Sequence, residues 1–148
     1  MQIALCLFAF AAGVVLIVQV GANSTLRSAL GSPVGAAFIS FVVGTAALLL
    51  FLALSRTPWP ARAQLAAAPA WAWVGGLLGA FYVVATIIVG PRLGAAALLA
   101  LVVLGQLVTS LLVDHFGWLG FPAHPLTALR LLGAALLFGG VMLVVHRG

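Results

Sequence analysis

Charge is what this chain has least of. Its 148 residues include six arginines, one aspartate, no lysine and no glutamate, so 5% are charged, against about 25% in a soluble globular domain. Seven charged side chains cannot coat a particle exposed to water, which excludes a soluble enzyme, a soluble binding module and a disordered tail. The net charge of +5 does not point to nucleic acid either, because the arginines are scattered and form no patch that could follow a phosphate backbone. Cysteine is represented by Cys6 alone, so an internal disulfide is impossible. His115, His124 and His146 have no partner at metal-ligand spacing, and no nucleophile, base and orienting group can be assembled. We therefore expect no catalytic residue, no metal and no cofactor.

What the chain does have is apolar length. Hydrophobic residues make up 66% of it, and a helix crossing a hydrocarbon core needs about 20 mostly apolar residues. Five stretches qualify: 3–20, 34–54, 71–89, 93–113 and 126–146. Turn chemistry separates them: Gly31-Ser32-Pro33, Pro58-Trp59-Pro60, Gly90-Pro91 and the segment from Pro122 to Pro125. Transmembrane β-strands would be about half as long and would alternate polar with apolar residues. The first stretch has no positively charged start and is followed by four more, so it is expected to be retained rather than cleaved as a signal peptide. The expectation is an all-α membrane protein with one five-helix transmembrane domain over 1–148. The longest connection, 55–70, carries Arg56, Trp59, Arg62 and Gln64. Residues 61–68 are either an ordinary loop or a short amphipathic helix at the interface.

Arginine placement usually sets orientation, because cytoplasmic loops are enriched in basic residues. Here it does not. With the N-terminal side called X and the other Y, Arg56, Arg62 and Arg130 fall on X, and Arg27, Arg92 and Arg147 fall on Y. Trp59, Trp71, Trp73 and Trp118 all map to X, although interfacial aromatic belts normally occupy both faces. An antiparallel pair of chains would balance both. Dual topology and an inverted dimer are therefore expected, comparable to the two inverted halves of many transporters.

Polar residues inside the apolar stretches are costly and mark internal faces. Gln19, Asn23 and Arg27 form one stripe if the first helix continues past Gly21. Ser40 and Gly44 are one turn apart in the second. Gly75, Gly79, Tyr82, Thr86 and Gly90 follow one face of the third. Gln106, Thr109, Ser110 and Asp114 follow one face of the fourth. Gly75 and Gly79 read as close helix packing. Ser40, Thr86, Thr109 and Ser110 either bond back to a carbonyl one turn earlier or contact a ligand. Tyr82 is open in the same way. The amides of Gln19, Asn23 and Gln106 need donors and acceptors, and a cavity is the preferred source. Arg27 either holds an anionic group or meets Asp114 of an inverted partner. Asp114, the only acid, is a candidate for an ion pair with Arg130 or with that partner arginine, or for proton coupling.

The order of these features resembles a known family. Gln19-x3-Asn23-x2-Leu26-Arg27, Gly31-Ser32-Pro33, Ser40-Phe41-x2-Gly44, Gly75-Gly76-x2-Gly79-Ala80-x-Tyr82, Gly105-Gln106 and Asp114-His115-Phe116-Gly117 together resemble the five-helix YdcZ-like branch of the drug/metabolite transporter superfamily. The stretch from Gly133 to Gly140 and Val141 is similar to the glycine-spaced dimerisation helix of small multidrug resistance transporters and to the last helix of EamA-type repeats. The resemblance implies a multi-pass protein of the cytoplasmic (inner) membrane. It would be a half-transporter working as an antiparallel homodimer, or as a heterodimer with a related chain, and packed through Gly133 and Gly140. One departure is clear. Small multidrug resistance proteins carry a mid-membrane glutamate in their first helix, and positions 9–18 here hold none, so that mechanism of proton-coupled drug exchange is not carried over. The expected function is transport of a small polar or amphipathic metabolite by alternating access, with Gln19, Asn23, Arg27, Ser40, Tyr82, Thr86, Gln106 and Ser110 as cavity candidates. A dual-topology channel and a non-transporting partner subunit are the alternatives.

Overall fold

The computed structural model describes residues 2–146 and is helical nearly throughout. Among the described residues, five helices are long and apolar enough to span a membrane: α1 (Gln2–Leu30), α2 (Pro33–Leu54), α4 (Val74–Leu93, entered through a 3-10 turn at Ala70–Trp73), α5 (Ala95–Phe116) and α6 (Ala128–Val145). A sixth, α3 (Arg62–Ala67), is a short helix in the long connection. The Gln64 side chain turns back there to accept the Ala61 N–H at 2.8 Å. Of the two readings of that segment, the short helix is the one adopted.

The chain divides into two compact units, 1–91 and 92–148. In the first, α1 and α2 form a tight hairpin. Gly31 closes it with φ +68, a left-handed conformation that favours glycine. Its N–H bonds to the Arg27 carbonyl at 2.9 Å. Ser32 then caps α2, its Oγ accepting the Gly35 N–H at 3.0 Å, with Pro33 in the first turn, where its missing N–H is harmless. The core of this unit is small. Ala36 and Ala37 of α2 are buried with Val83 and Ile87 of α4, and Leu26, Tyr82 and Val84 pack around them. Two alanines side by side let the helices approach closely where lipid supplies no hydrophobic drive. Further along, the Phe41 ring stands 3.6 Å from where a Gly79 Cβ would be, an ordinary packing distance; Gly75 has open space there. Most large apolar side chains, among them Phe8, Phe10, Leu48 and Phe51, face outward, as a lipid-facing surface requires.

α1 is longer than its apolar run. Thr25 Oγ1 donates to the Gly21 carbonyl and Ser28 Oγ to the Ser24 carbonyl, both at 3.1 Å. The hydroxyls are satisfied within the helix, so the polar third of α1 need not unwind. At 29 residues it is roughly 43 Å long, more than a ~30 Å core demands. Its last turns therefore reach the interface or the helix tilts.

The second unit is the α5–α6 hairpin. α5 ends at Gly117, left-handed at φ +64, whose N–H reaches the Val113 carbonyl. The connecting segment is tied down at several points: the His124 N–H bonds to the Asp114 carbonyl at 2.7 Å, the Leu126 N–H to His115 Nδ1 at 3.3 Å, and Thr127 Oγ1 caps α6 through the Arg130 N–H. Trp118 stacks on Phe116. A Cβ at Gly117 would stand 3.3 Å from the Ala123 Cβ as well as straining φ. Gly117→Ala is therefore expected to destabilise the protein by about 1–2 kcal/mol. Unfolding in mixed micelles measures this, and an unchanged midpoint would contradict it.

Candidate functional site

α5 carries its polar residues on one face. Gly105, Gln106, Thr109, Ser110, Val113 and Asp114 repeat at helical spacing, and together with Leu119 and Phe121 they line a groove of about 430 Å³. Gln106, Thr109 and Ser110 are exposed. Eight residues separate Gln106 from Asp114, about 12 Å along the axis, so the groove runs from the middle of the span towards its end. The Gln106 amide has no hydrogen-bond partner among the described residues. A polar face of this kind cannot rest against hydrocarbon without cost.

Asp114 closes the groove at the helix end. It accepts from Arg130 Nη2 at 3.1 Å, and Arg130 Nη1 also donates to the His124 carbonyl at 3.3 Å. Both side chains are about one-third exposed. Of the partners considered for Asp114, the chain's own Arg130 is the one in contact.

The other expected cavity residues lie elsewhere. Gln19 of α1 and Ser40 of α2 line a smaller groove of about 220 Å³ with Phe41, Gly44, Thr45 and Leu48. Thr86 is buried and its hydroxyl donates to the Val83 carbonyl at 2.9 Å, so it turns into the packing. Tyr82 lies against the Ala36–Ile87 core. Asn23 is only 3% exposed. Arg27 lines a polar groove with Ser24, Thr25, Ser28, Gly31 and Pro91. Gly133 and Gly140 have open space where a side chain would be, so that face of α6 is uncovered among the described residues. Arg147 lies outside the described residues.

One arrangement was not anticipated. α4 does not stop at Val89; it runs through Pro91 to Leu93. A proline inside a helix has no N–H to give the carbonyl four residues earlier, which here belongs to Ile87. Arg27 Nη1 donates to that carbonyl at 3.0 Å. A side chain of α1 thus repairs a backbone defect in α4, as a membrane interior requires. The sequence carries only half of this signal, a proline following an apolar run; that Ile87 is buried and that Arg27 reaches it are set by the fold.

Five helices long and apolar enough to span a membrane define a multi-pass helical membrane protein. The chain matches the family model described as "Putative inner membrane exporter, YdcZ" over residues 4–143, and it belongs to that family of inner membrane proteins. It is similar to the inner membrane protein YdcZ of Escherichia coli (strain K12), 39% identical over 77 residues, which cover 52% of this chain and 51% of that protein. The match thus spans about half the length of the curated relative. No solved structure matches the chain.

Proposed function

We propose that the protein is a half-transporter that assembles as an antiparallel dimer and moves a small polar or amphipathic metabolite across the inner membrane. The observation that carries this reading is the α5 groove. It sets Gln106, Thr109 and Ser110 on the exposed face of a membrane-length helix, where a second subunit or a water-filled path would satisfy the Gln106 amide; Asp114 is already held by Arg130. The balanced arginines and one-sided tryptophans favour an inverted partner. The open glycine face of α6, with Gly133 and Gly140 seven residues apart, offers a close-packing surface for it. Such a pair would present two α5 grooves related by a two-fold axis in the membrane plane, and alternating access would open them to one side and then the other. The family description supports transport outward from the cytoplasm.

Two measurements test the proposal. Cys6 is exposed, so it is first replaced by serine. Cysteines introduced at Ala61 and Ala123 are then labelled in intact cells with an impermeant reagent. Each position is expected to react from outside in part of the population and to be protected in the rest. Labelling of every copy from a single side would remove dual topology and with it the antiparallel homodimer. The purified chain alone in liposomes is expected to support saturable solute flux without single-channel conductance. Discrete conductance would instead favour a channel, and flux only with a second protein would favour a partner subunit.

A further inference from the structure

We propose that the groove around Arg27 is a phosphate-binding site, independent of the α5 groove and of the transport reading. Arg27 is partly buried, and a cation held at or below the membrane interface calls for a counter-charge. The sole acid of the chain is Asp114, and it is already engaged by Arg130 at 3.1 Å. The contact found for Arg27 is a neutral carbonyl, that of Ile87, through one N–H of Nη1. A guanidinium has five such donors in a planar fork, and the rest have no partner among the described residues. The anion must therefore come from outside the protein.

The groove has the chemistry to take it. Arg27 shares it with Ser24, Thr25 and Ser28, in a space of about 650 Å³, ample for a tetrahedral oxyanion. Thr25 and Ser28 spend their hydroxyl protons on the Gly21 and Ser24 carbonyls, so the donors that face an anion are the guanidinium and the Ser24 hydroxyl. Ser24 stands on the same stretch of α1 as the arginine. The guanidinium fork matches two oxygens of a phosphate, where an ammonium would act only as a point charge. At the end of a membrane-length helix the available phosphates are a lipid headgroup and a free phosphate in the aqueous phase. The chemistry is shared, and the source is separable by experiment.

Arg27→Gln alone is ambiguous, because it also removes the donor to Ile87. Pro91→Ala resolves this, since an alanine at that position restores the backbone N–H that the Ile87 carbonyl lacks. Purified Pro91→Ala and Pro91→Ala/Arg27→Gln are compared in an uncharged maltoside detergent, each titrated with phosphatidylglycerol or with inorganic phosphate. The expected result is a saturable rise of a few degrees in the Tm of Pro91→Ala with at least one probe, largely lost in the double variant. Pro91→Ala/Arg56→Gln, which removes a positive charge elsewhere, should keep the rise. Response to phosphatidylglycerol alone, with one lipid retained per chain in native mass spectrometry, assigns a lipid headgroup; response to inorganic phosphate assigns a free anion. Equal rises in all three proteins, or none with either probe in any of them, would overturn the site.

Discussion

Arg27→Ala is expected to lower the stability of the protein by about 2 kcal/mol, within the range for a hydrogen bond from a charged donor. Most of that loss should vanish when Pro91 is also replaced by alanine. In the native chain the Ile87 carbonyl has lost its helical donor to proline, and Arg27 supplies the substitute at 3.0 Å. Removing Arg27 leaves that carbonyl unsatisfied in a buried segment, which is more expensive than the simple loss of a hydrogen bond. With alanine at position 91 the backbone bond re-forms and the carbonyl no longer depends on Arg27. A double-mutant cycle should therefore give a coupling of about 1–2 kcal/mol, near the upper end of values found for hydrogen bonds inside membranes. Unfolding of the four proteins in mixed micelles, in uncharged detergent without phosphate, measures it free of any bound anion. Equal losses in both backgrounds would show that Arg27 does not support Ile87.

That contact also marks the limit of reading this chain by hydropathy. The five spans were legible because each apolar run is long and each break has its own chemistry. The Gly31-Ser32-Pro33 turn forms as those three residue types require, with a left-handed glycine, a serine cap and a proline in the first turn. The end of α1 was not legible. Hydropathy falls at Gly21, but Thr25 and Ser28 satisfy themselves on the helix, so polarity there marks the interface and not the end of the helix. Gly90-Pro91 was read as a break for a similar reason. Proline usually ends a helix, and here another helix removes the penalty. In both places a hydrogen bond made by a side chain decided the outcome, and a periodicity argument does not see those.

The candidate sites divide along the same line. Residues on one helix face could be grouped by spacing, and α5 does hold Gln106, Thr109, Ser110 and Asp114 together. Grouping between helices was out of reach. Gln19 shares a groove with Ser40, while Arg27 sits in another and Thr86 is in the core. Leu119 and Phe121 complete the α5 groove because the chain reverses after Gly117, with Leu119 itself at φ +58. Nothing in their residue types announces that turn.

Gln106→Ala is the sharper test of what the α5 groove does. The side chain is exposed and bonds to no other described residue, so its removal should leave the stability of the single chain within about 0.5 kcal/mol of native. On the proposed reading, the same change should reduce solute flux in liposomes by roughly five- to tenfold, since one hydrogen bond made to a passing solute is worth about 1–1.5 kcal/mol and each 1.4 kcal/mol is a factor of ten. Gln106→Asn keeps the amide on a shorter stem and should recover part of the flux. Thr86→Ala serves as the opposite case: its hydroxyl is buried and bonded to Val83, so stability should fall while the flux of the folded fraction stays near native. A structural role for Gln106 would appear as a loss of dimer or of stability in step with the loss of flux. Native flux in Gln106→Ala would remove the residue from the path, and with it the main reason for placing solute against α5.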